Sequence, residues 1–512
     1  MTGLEPLALA GLAVGAPPLV ESCTKACAKL VNIIRDIKTA DAQVERRLHR
    51  VALLCREAAL YLQCITFVEN RAPEQVGEDL NTFIRQVLID SETLYSTVEG
   101  MKDLRFHHRL HFGLMGKRSV QDHIKQLEST LKMFHRFVNT TLLFLDGGEV
   151  DRLLRDILTG GEGQEAIQQL REIRSAIRSR QQNRSNINLA SIEVNGSYDA
   201  LAGSALSLSN FDYMGGQLIM ESKTFRPSDE AELSNETKVQ DLTFALSDID
   251  PTRIPGILRC MGYQVVSKHD YHLLYEYPAS SSEPMTLRNM LWDSAALGGP
   301  QHPLNERLEV AIHLAKAGLS VHLQGYIHKQ IRPESVLLFR SNTQQSGFPL
   351  HLGTPYLLGF GSARKDTDDS AKMGDTSISH NVYRHPKRQG EKYSEKYLKI
   401  DDLYAFGVVL LEIGVWRSSL SKANELNPKF WVNTTNCPTT TYPEVLKGLA
   451  KSSVPVVMGV KYYRIVQTCL SVLEDDSPFL APDVLGSTER MTMKFCLLFI
   501  TKVLMELESI VV

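Results

Sequence analysis

The 512-residue chain has no CxxC pair, no paired histidines at zinc-ligand spacing near its cysteines, and no internal repeat. Its eight cysteines, at positions 23, 27, 55, 64, 260, 437, 469 and 496, are scattered through apolar surroundings. That pattern argues against a zinc centre or a disulfide framework and predicts buried thiols in a reducing compartment, with no metal site. Charge of one sign is also missing. A formal net charge of -3 gives no reason to expect a nucleic-acid partner. The N-terminus lacks the basic n-region of a secretory signal, so the Asn-x-Thr matches at Asn139 and Asn433 carry no weight and a cytoplasmic protein is expected.

What is present is a folded composition, 43% hydrophobic and 22% charged, over a length that implies roughly two to four domains. The segment Leu4–Val20 is nearly uncharged, and its 17 residues fall short of the roughly 20 that a bilayer-crossing helix needs. Its glycines and Pro17-Pro18 should also interrupt a regular span. Two readings remain open: a short helix tucked into a bundle, or a segment that moves into membrane through Leu4, Leu7, Leu9, Leu12, Val14 and Leu19.

From Glu21 to about Leu158 the apolar residues recur at helical spacing. In Ala42–Thr66, Val44, Leu48, Val51, Cys55, Ala58 and Leu62 form one stripe, and further helices are predicted through Leu80–Met101 and Val120–Leu145. Long helices with short connections predict an all-α bundle over residues 1–160. Within it, Met101–Arg136 carries eight Lys/Arg against three Asp/Glu, together with five histidines. Either this is a solvated helix face, or Lys102, Arg105, Arg109, Lys117 and Arg118 face anionic membrane lipids. Residues 161–210 read as a connector helix, Glu162–Arg180, followed by a Ser/Gly/Asn-rich segment, running to about Gly216, that is either a linker or weakly structured strands. Strand patterns begin near residue 211, in Gln217–Phe225, Tyr263–Lys268 and Tyr271–Pro278; helices follow at Leu304–Gly325, Asp401–Trp416 and Arg490–Ser509. Strands first and helices later predict a small lobe over about 211–280 and a helical large lobe over about 281–512.

The order of short motifs in this second half resembles a protein kinase domain. YIHKQIRPESVLLF resembles the catalytic loop, YLLGFGSAR the segment around the metal-binding DFG, DDLYAFGVVLLEIGVW the central helix, YHLLYEYP the hinge strand, and LIMESKTF the strand that carries the nucleotide lysine, here Lys223. The resemblance implies a bilobal α+β fold but not activity. Kinases need a loop carboxylate as base and oxygen ligands for magnesium. The resemblance places Gln330 at the base, Ser335 at one magnesium position and Gly359 of Gly359-Phe360-Gly361 at the other. No GxGxxG precedes Lys223; Gly196, Gly203, Gly215 and Gly216 lack the spacing. His328, Asp402, Gly407 and Pro386 match structural positions, while Lys387 stands where the family has an acid. Lys223 has two readings, a phosphate contact or a surface-facing lysine, with Glu236 and Asp241 as candidate partners. No cofactor is expected, ATP contact through Lys223 being the one route left open. The sum predicts a catalytically inactive pseudokinase.

The first half resembles fungal HeLo and HeLo-like domains, on the strength of LEPLALAGLAVGAPPLVESCTKACAKLV leading into long helices. A helical bundle before a pseudokinase is also the architecture of mixed-lineage kinase domain-like cell-death effectors. The resemblance implies self-association through the bundle, action at the plasma membrane on activation, and an activating protein partner in an incompatibility or immune-type response. The alternatives are an atypical active kinase using Glu334 or Asp366 as base, and a non-enzymatic signalling scaffold.

Overall fold

The computed structural model describes residues 16–36, 42–69, 74–102, 116–144, 192, 197–201, 204–209, 217–225, 232–247, 256–278, 281, 284–296, 302–340, 351–368, 377–389, 396–431, 442–482 and 484–511. The chain divides into two compact units, Met1–Gln182 and Asn183–Val512. The expected connector helix Glu162–Arg180 lies outside the described residues.

The described part of the first unit is helical: α1 (Ala16–Asp36), α2 (Ala42–Glu69), α3 (Glu74–Lys102) and α4 (Gly116–Phe144). Helices α1 and α4 each pack against both α2 and α3. The stripe predicted on α2 is the core face, with Leu48, Val51, Cys55, Ala58 and Leu62 all buried; they meet Leu30 and Ile34 of α1, Ile84 and Leu94 of α3, and Leu127 and Leu131 of α4 in one apolar interior. Polar links cross it, one of them at Asp90. The buried Asp90 carboxylate accepts from Thr130 Oγ1 at 2.7 Å and Gln86 Nε2 at 2.8 Å, so the charge is hydrogen-bonded rather than stranded.

Pro17 and Pro18 lie in the first turn of α1, where the missing N–H groups would have no intrahelical acceptor. Leu19 is only 7% exposed and belongs to the bundle core. Leu4, Leu7, Leu9, Leu12 and Val14 lie outside the described residues, as do Arg105 and Arg109. Lys102 closes α3, and Lys117 and Arg118 stand in the first turn of α4. Among the described residues no helix is long and apolar enough to cross a membrane.

The second unit begins with a five-stranded antiparallel sheet, order β1-β2-β3-β5-β4, from β1 (Tyr198–Ala200), β2 (Leu206–Ser209), β3 (Leu218–Thr224), β4 (Cys260–Val265) and β5 (Asp270–Glu276). It therefore starts upstream of the boundary expected near 211, and the Ser/Gly/Asn-rich segment forms two short strands, the second of the two readings it allowed. Helix α5 (Glu232–Ser247) connects β3 to β4 and packs on β4. The chain then runs through β6 (Met285–Thr286), α6 (Leu287–Ala296), α7 (Leu304–Leu323), β7 (Tyr326–Ile327), β8 (Val336–Phe339), β9 (Thr354–Leu357), β10 (Arg364–Lys365), α8 (Ile378–Asn381), α9 (Lys399–Val415), α10 (Tyr442–Leu470) and α11 (Glu489–Phe499). Two small antiparallel sheets, β6-β8-β9 and β7-β10, are set among these helices.

Helix α9 is buried along almost its whole length, as expected for a helix apolar on every face. Gly407 lets α10 come close: a Cβ there would lie 2.7 Å from Cys469 Cβ. Helix α10 is broken at Gly459, whose φ of +83° is not helical.

Candidate functional site

The catalytic-loop-like segment hangs on Asp402. This residue sits in the first turn of α9, where the helix dipole favours a carboxylate, and it is fully buried. Its Oδ2 accepts from the His328 backbone N–H at 2.7 Å and from His322 Nε2 at 3.0 Å; its Oδ1 accepts from the Lys329 N–H at 2.8 Å and Tyr397 Oη at 3.2 Å. Burial opposes the charge, but the bond from His322 and the charges and amide around it win, holding the carboxyl below its ordinary value. Anchored this way, the loop turns sharply, and Lys329 adopts a left-handed φ of +68°. The His328 ring is buried 4.8 Å from the Phe360 ring, and burial lowers its pKa to about 4, so it is a neutral packing residue.

A second buried carboxylate, on β3, holds the Gly359–Gly361 segment. Glu221 and Lys223, two residues apart on one strand, share a face and point inward. The Glu221 carboxylate accepts from the Gly359 N–H at 3.1 Å, from the Gly361 N–H, and from Tyr275 Oη at 3.4 Å. Lys223 Nζ donates to the carbonyls of Gly361 at 3.0 Å and Ala363 at 2.8 Å. An acid and a base on one strand thus hold the donors and acceptors of one loop. The fit is close. Gly359 has φ +93°, and a Cβ on it would lie 2.6 Å from Ser335 Oγ; a Cβ on Gly361 would lie 2.5 Å from the Ser222 carbonyl oxygen. Burial pushes the Glu221 carboxyl up against the pull of the Gly361, Phe360 and Gly359 amides, and burial pulls the Lys223 ammonium down to about 8 despite Glu221.

These contacts correct several expectations. Lys223 is not surface-facing: it is 5% exposed, and its acidic neighbour is Glu221, not Glu236 or Asp241. Glu236 accepts from Tyr263 Oη at 2.9 Å, and Asp241 pairs with Lys365. Gln330 Nε2 donates to Ser362 Oγ at 2.6 Å, so the amide at the base position ties the loop to the Gly359–Gly361 segment. Ser335 is buried and fills the space beside Gly359.

The two carboxylates considered as substitute bases are both engaged in ion pairs. Glu334 pairs with Arg288 at 2.7 Å, in a buried network where Arg288 also donates to Tyr383 Oη and Ser418 Oγ, both at 2.6 Å, and to Glu412 at 3.4 Å. Asp366 pairs with Lys399, both nearly inaccessible. Pro386 opens a short 3-10 turn whose N-cap, His385, accepts from the Lys387 N–H at 3.4 Å. The ion pair found beside that turn is Arg388 with Asp401, at 3.1 Å and fully buried.

At the position expected to offer magnesium a carboxylate, the Gly359 and Gly361 N–H groups donate to Glu221, and no group of three or more His, Cys, Asp or Glu suited to a metal occurs among the described residues. No family model and no curated protein matches this chain.

Proposed function

We propose that the second unit is a protein-kinase-like fold that has given up phosphoryl transfer and serves to control the first, and that the first, a bundle of the HeLo-like kind, acts at anionic membranes as a cell-death or signalling effector. The observation that supports this best is how the side chains at the expected kinase positions are already engaged. The base position is an amide bonded to Ser362, the glycine at the metal position has no room for a side chain, and the one lysine aligned with nucleotide binding is spent on two internal carbonyls. An amide cannot take up the substrate proton, a loss worth roughly 10²–10⁴ in rate where general-base catalysis operates. On the membrane side, support comes from the basic residues at the end of α3 and the start of α4, each able to add on the order of 1 kcal/mol near an anionic surface. Self-association would multiply such weak anchors.

The test has two arms. Full-length protein, under conditions that produce oligomers, should leak phosphatidylserine vesicles, and removal of residues 1–15 should abolish leakage. The cut stops before Ala16, because removing Leu19 would damage the core of α1. Absence of leakage from oligomeric protein overturns the membrane reading. Magnesium-dependent phosphotransfer that disappears in Lys223→Ala overturns the pseudokinase reading and restores the atypical-kinase one.

A second reading, a signalling scaffold, is favoured by one surface. Val456, Val457 and Val460 of α10 are exposed, Val456 by 85%, around the break at Gly459. Stable self-association lost in Val456→Asp, without any vesicle binding by the wild type, would select it.

A further inference from the structure

Three of the buried thiols meet at one point of the first unit. Cys23 and Cys27 stand one turn apart on the inner face of α1, Cys55 lies on the core face of α2, and all three are at most 1% exposed. The Cys27 thiol is hydrogen-bonded to those of Cys23 and Cys55 and lies 3.9 Å from Ser91 Oγ of α3. His135 of α4 is held near it by Glu57, whose Oε2 is 3.2 Å from the ring Nδ1, while the buried Nε2 makes no hydrogen bond among the described residues. Donors gathered around one sulfur favour its thiolate, the reactive form of a cysteine. Hydrogen bonds, that from Cys23 first, hold Cys27 below the ordinary thiol value, and the bonds to Cys27 push Cys23 and Cys55 up. Cys27 is thus the sulfur that ionises, between two that keep their protons.

We propose that Cys27 and Cys55 form a peroxide-sensitive disulfide latch that ties α1 to α2. Of the two pairings offered to Cys27, the one across the helices is the one that can close. Positions i and i+4 of a helix hold their Cβ atoms about 5–6 Å apart, whereas a disulfide needs about 3.5–4.5 Å, so a Cys23–Cys27 bond would distort a helix that runs through both residues. Cys55 is free of that constraint, being on a separate helix packed against α1 with its thiol already on Cys27. In the first step the Cys27 thiolate attacks one oxygen of hydrogen peroxide; the O–O bond breaks, hydroxide leaves, and a sulfenic acid forms. The Cys55 sulfur then attacks the Cys27 sulfur, and its proton leaves with the displaced hydroxide as water. Two thiols lose two electrons in all, and one peroxide becomes two waters. Peroxide reaches the buried sulfurs as α1 and α2 part locally, and the bond then forbids further parting. In a reducing compartment such a bond is transient, undone by a thiol reductant when the oxidant is gone. The latch follows from the packing of the bundle alone, so it stands or falls separately from the membrane reading.

The experiment treats folded full-length protein with hydrogen peroxide, alkylates the remaining thiols and digests with trypsin without reductant. Cuts after Lys25, Lys29, Arg50 and Arg56 put the three cysteines on three peptides, so masses identify the pair. Ala26–Lys29 is expected joined to Val51–Arg56 in the monomer fraction, with the unfolding temperature of the first unit raised by roughly 5 °C and both effects reversed by dithiothreitol. Cys55→Ala should abolish the cross-link and the rise, and Cys23→Ala should keep both. If Cys55→Ala does not fold, the wild-type peptide map and Cys23→Ala still decide. The proposal is overturned if oxidised wild type carries Cys27 as a sulfinic acid or as an alkylated thiol without the cross-link, or if the bond joins Cys23 to Cys27. It is equally overturned if the Cys27–Cys55 bond forms only in urea, or if it leaves the unfolding temperature unchanged.

Discussion

Asp402 and Glu221 are two buried carboxylates, each accepting two backbone amides from a loop, yet they end in opposite electrostatic states. Asp402 takes the His328 and Lys329 amides and adds His322 and Tyr397, enough to outweigh burial and depress its pKa. Glu221 takes the Gly359 and Gly361 amides with only a long bond from Tyr275 Oη, and burial wins, raising its pKa. Both are buried and both take backbone amides; what sets Asp402 apart is His322, whose bond and charge lead the groups that hold its carboxyl down. The comparison also separates two kinds of loop. The Asp402 loop is fixed by a carboxylate whose charge its surroundings favour, the Gly359–Gly361 segment by one whose charge burial opposes.

The most damaging way to challenge this pairing is to restore a side chain at the glycine. Gly359→Asp forces a left-handed φ on a non-glycine residue, drives a Cβ to 2.6 Å from Ser335 Oγ and sets a new carboxylate near Glu221. A loss of about 5 kcal/mol in urea unfolding, with no gain of magnesium-dependent phosphotransfer, is expected. Removing the better-satisfied anchor comes next: Asp402→Ala strands two amides and a buried histidine and should cost about 3–4 kcal/mol by the same measurement.

A finer probe is pH. Glu221 has a folded pKa above its ordinary 4.5, so the folded state binds its proton more tightly than the unfolded state does. Its contribution to stability is complete below 4.5 and is lost as pH rises through the folded value. Asp402 is depressed from 3.8, so its contribution is present above 3.8 and is lost as pH falls through the folded value. The stability difference between wild type and Glu221→Gln should therefore shrink on going up in pH from 4.5, while that between wild type and Asp402→Asn should shrink on going down from 3.8. Urea titrations at a series of pH values that give slopes of the same sign would break the comparison. The smallest expected effect is at Lys329, where Lys329→Gly relieves the left-handed strain and should stabilise by about 1 kcal/mol, less whatever its 5.9 Å approach to the Tyr397 ring contributes.

The bundle helices were legible because each carries a single apolar period, and the stripe on α2 became the core face residue for residue from Leu48 to Leu62. Helix α10 did not announce itself, because Pro455 and the non-helical Gly459 break the repeat that a helix needs to be read. The candidate site was legible in outline through Lys223, Gln330, Ser335 and Gly359, but its central residue, Glu221, was passed over. The reason lies in β3 itself. Leu218–Thr224 mixes polar and apolar residues on both faces, with Leu218 and Ile219 both buried and Glu221 and Lys223 buried behind them. Alternation could not say which face was inside, so the lysine was open to an outward reading and the glutamate drew no notice. The Arg388–Asp401 pair carries no sequence signal of its own, since nothing in two charges thirteen residues apart says that both will be buried.

Lys223 carries one further consequence, in chemical reactivity. An ammonium with a pKa near 8 holds a larger neutral, nucleophilic fraction at physiological pH than an ordinary lysine, yet at 5% exposure it is shielded from acylating reagents. Its rate of modification is therefore set not by its basicity but by how often the strand and the glycine segment part. The residue is a timer for cleft opening, written into the chain as a side chain that stays silent until the loop lets go.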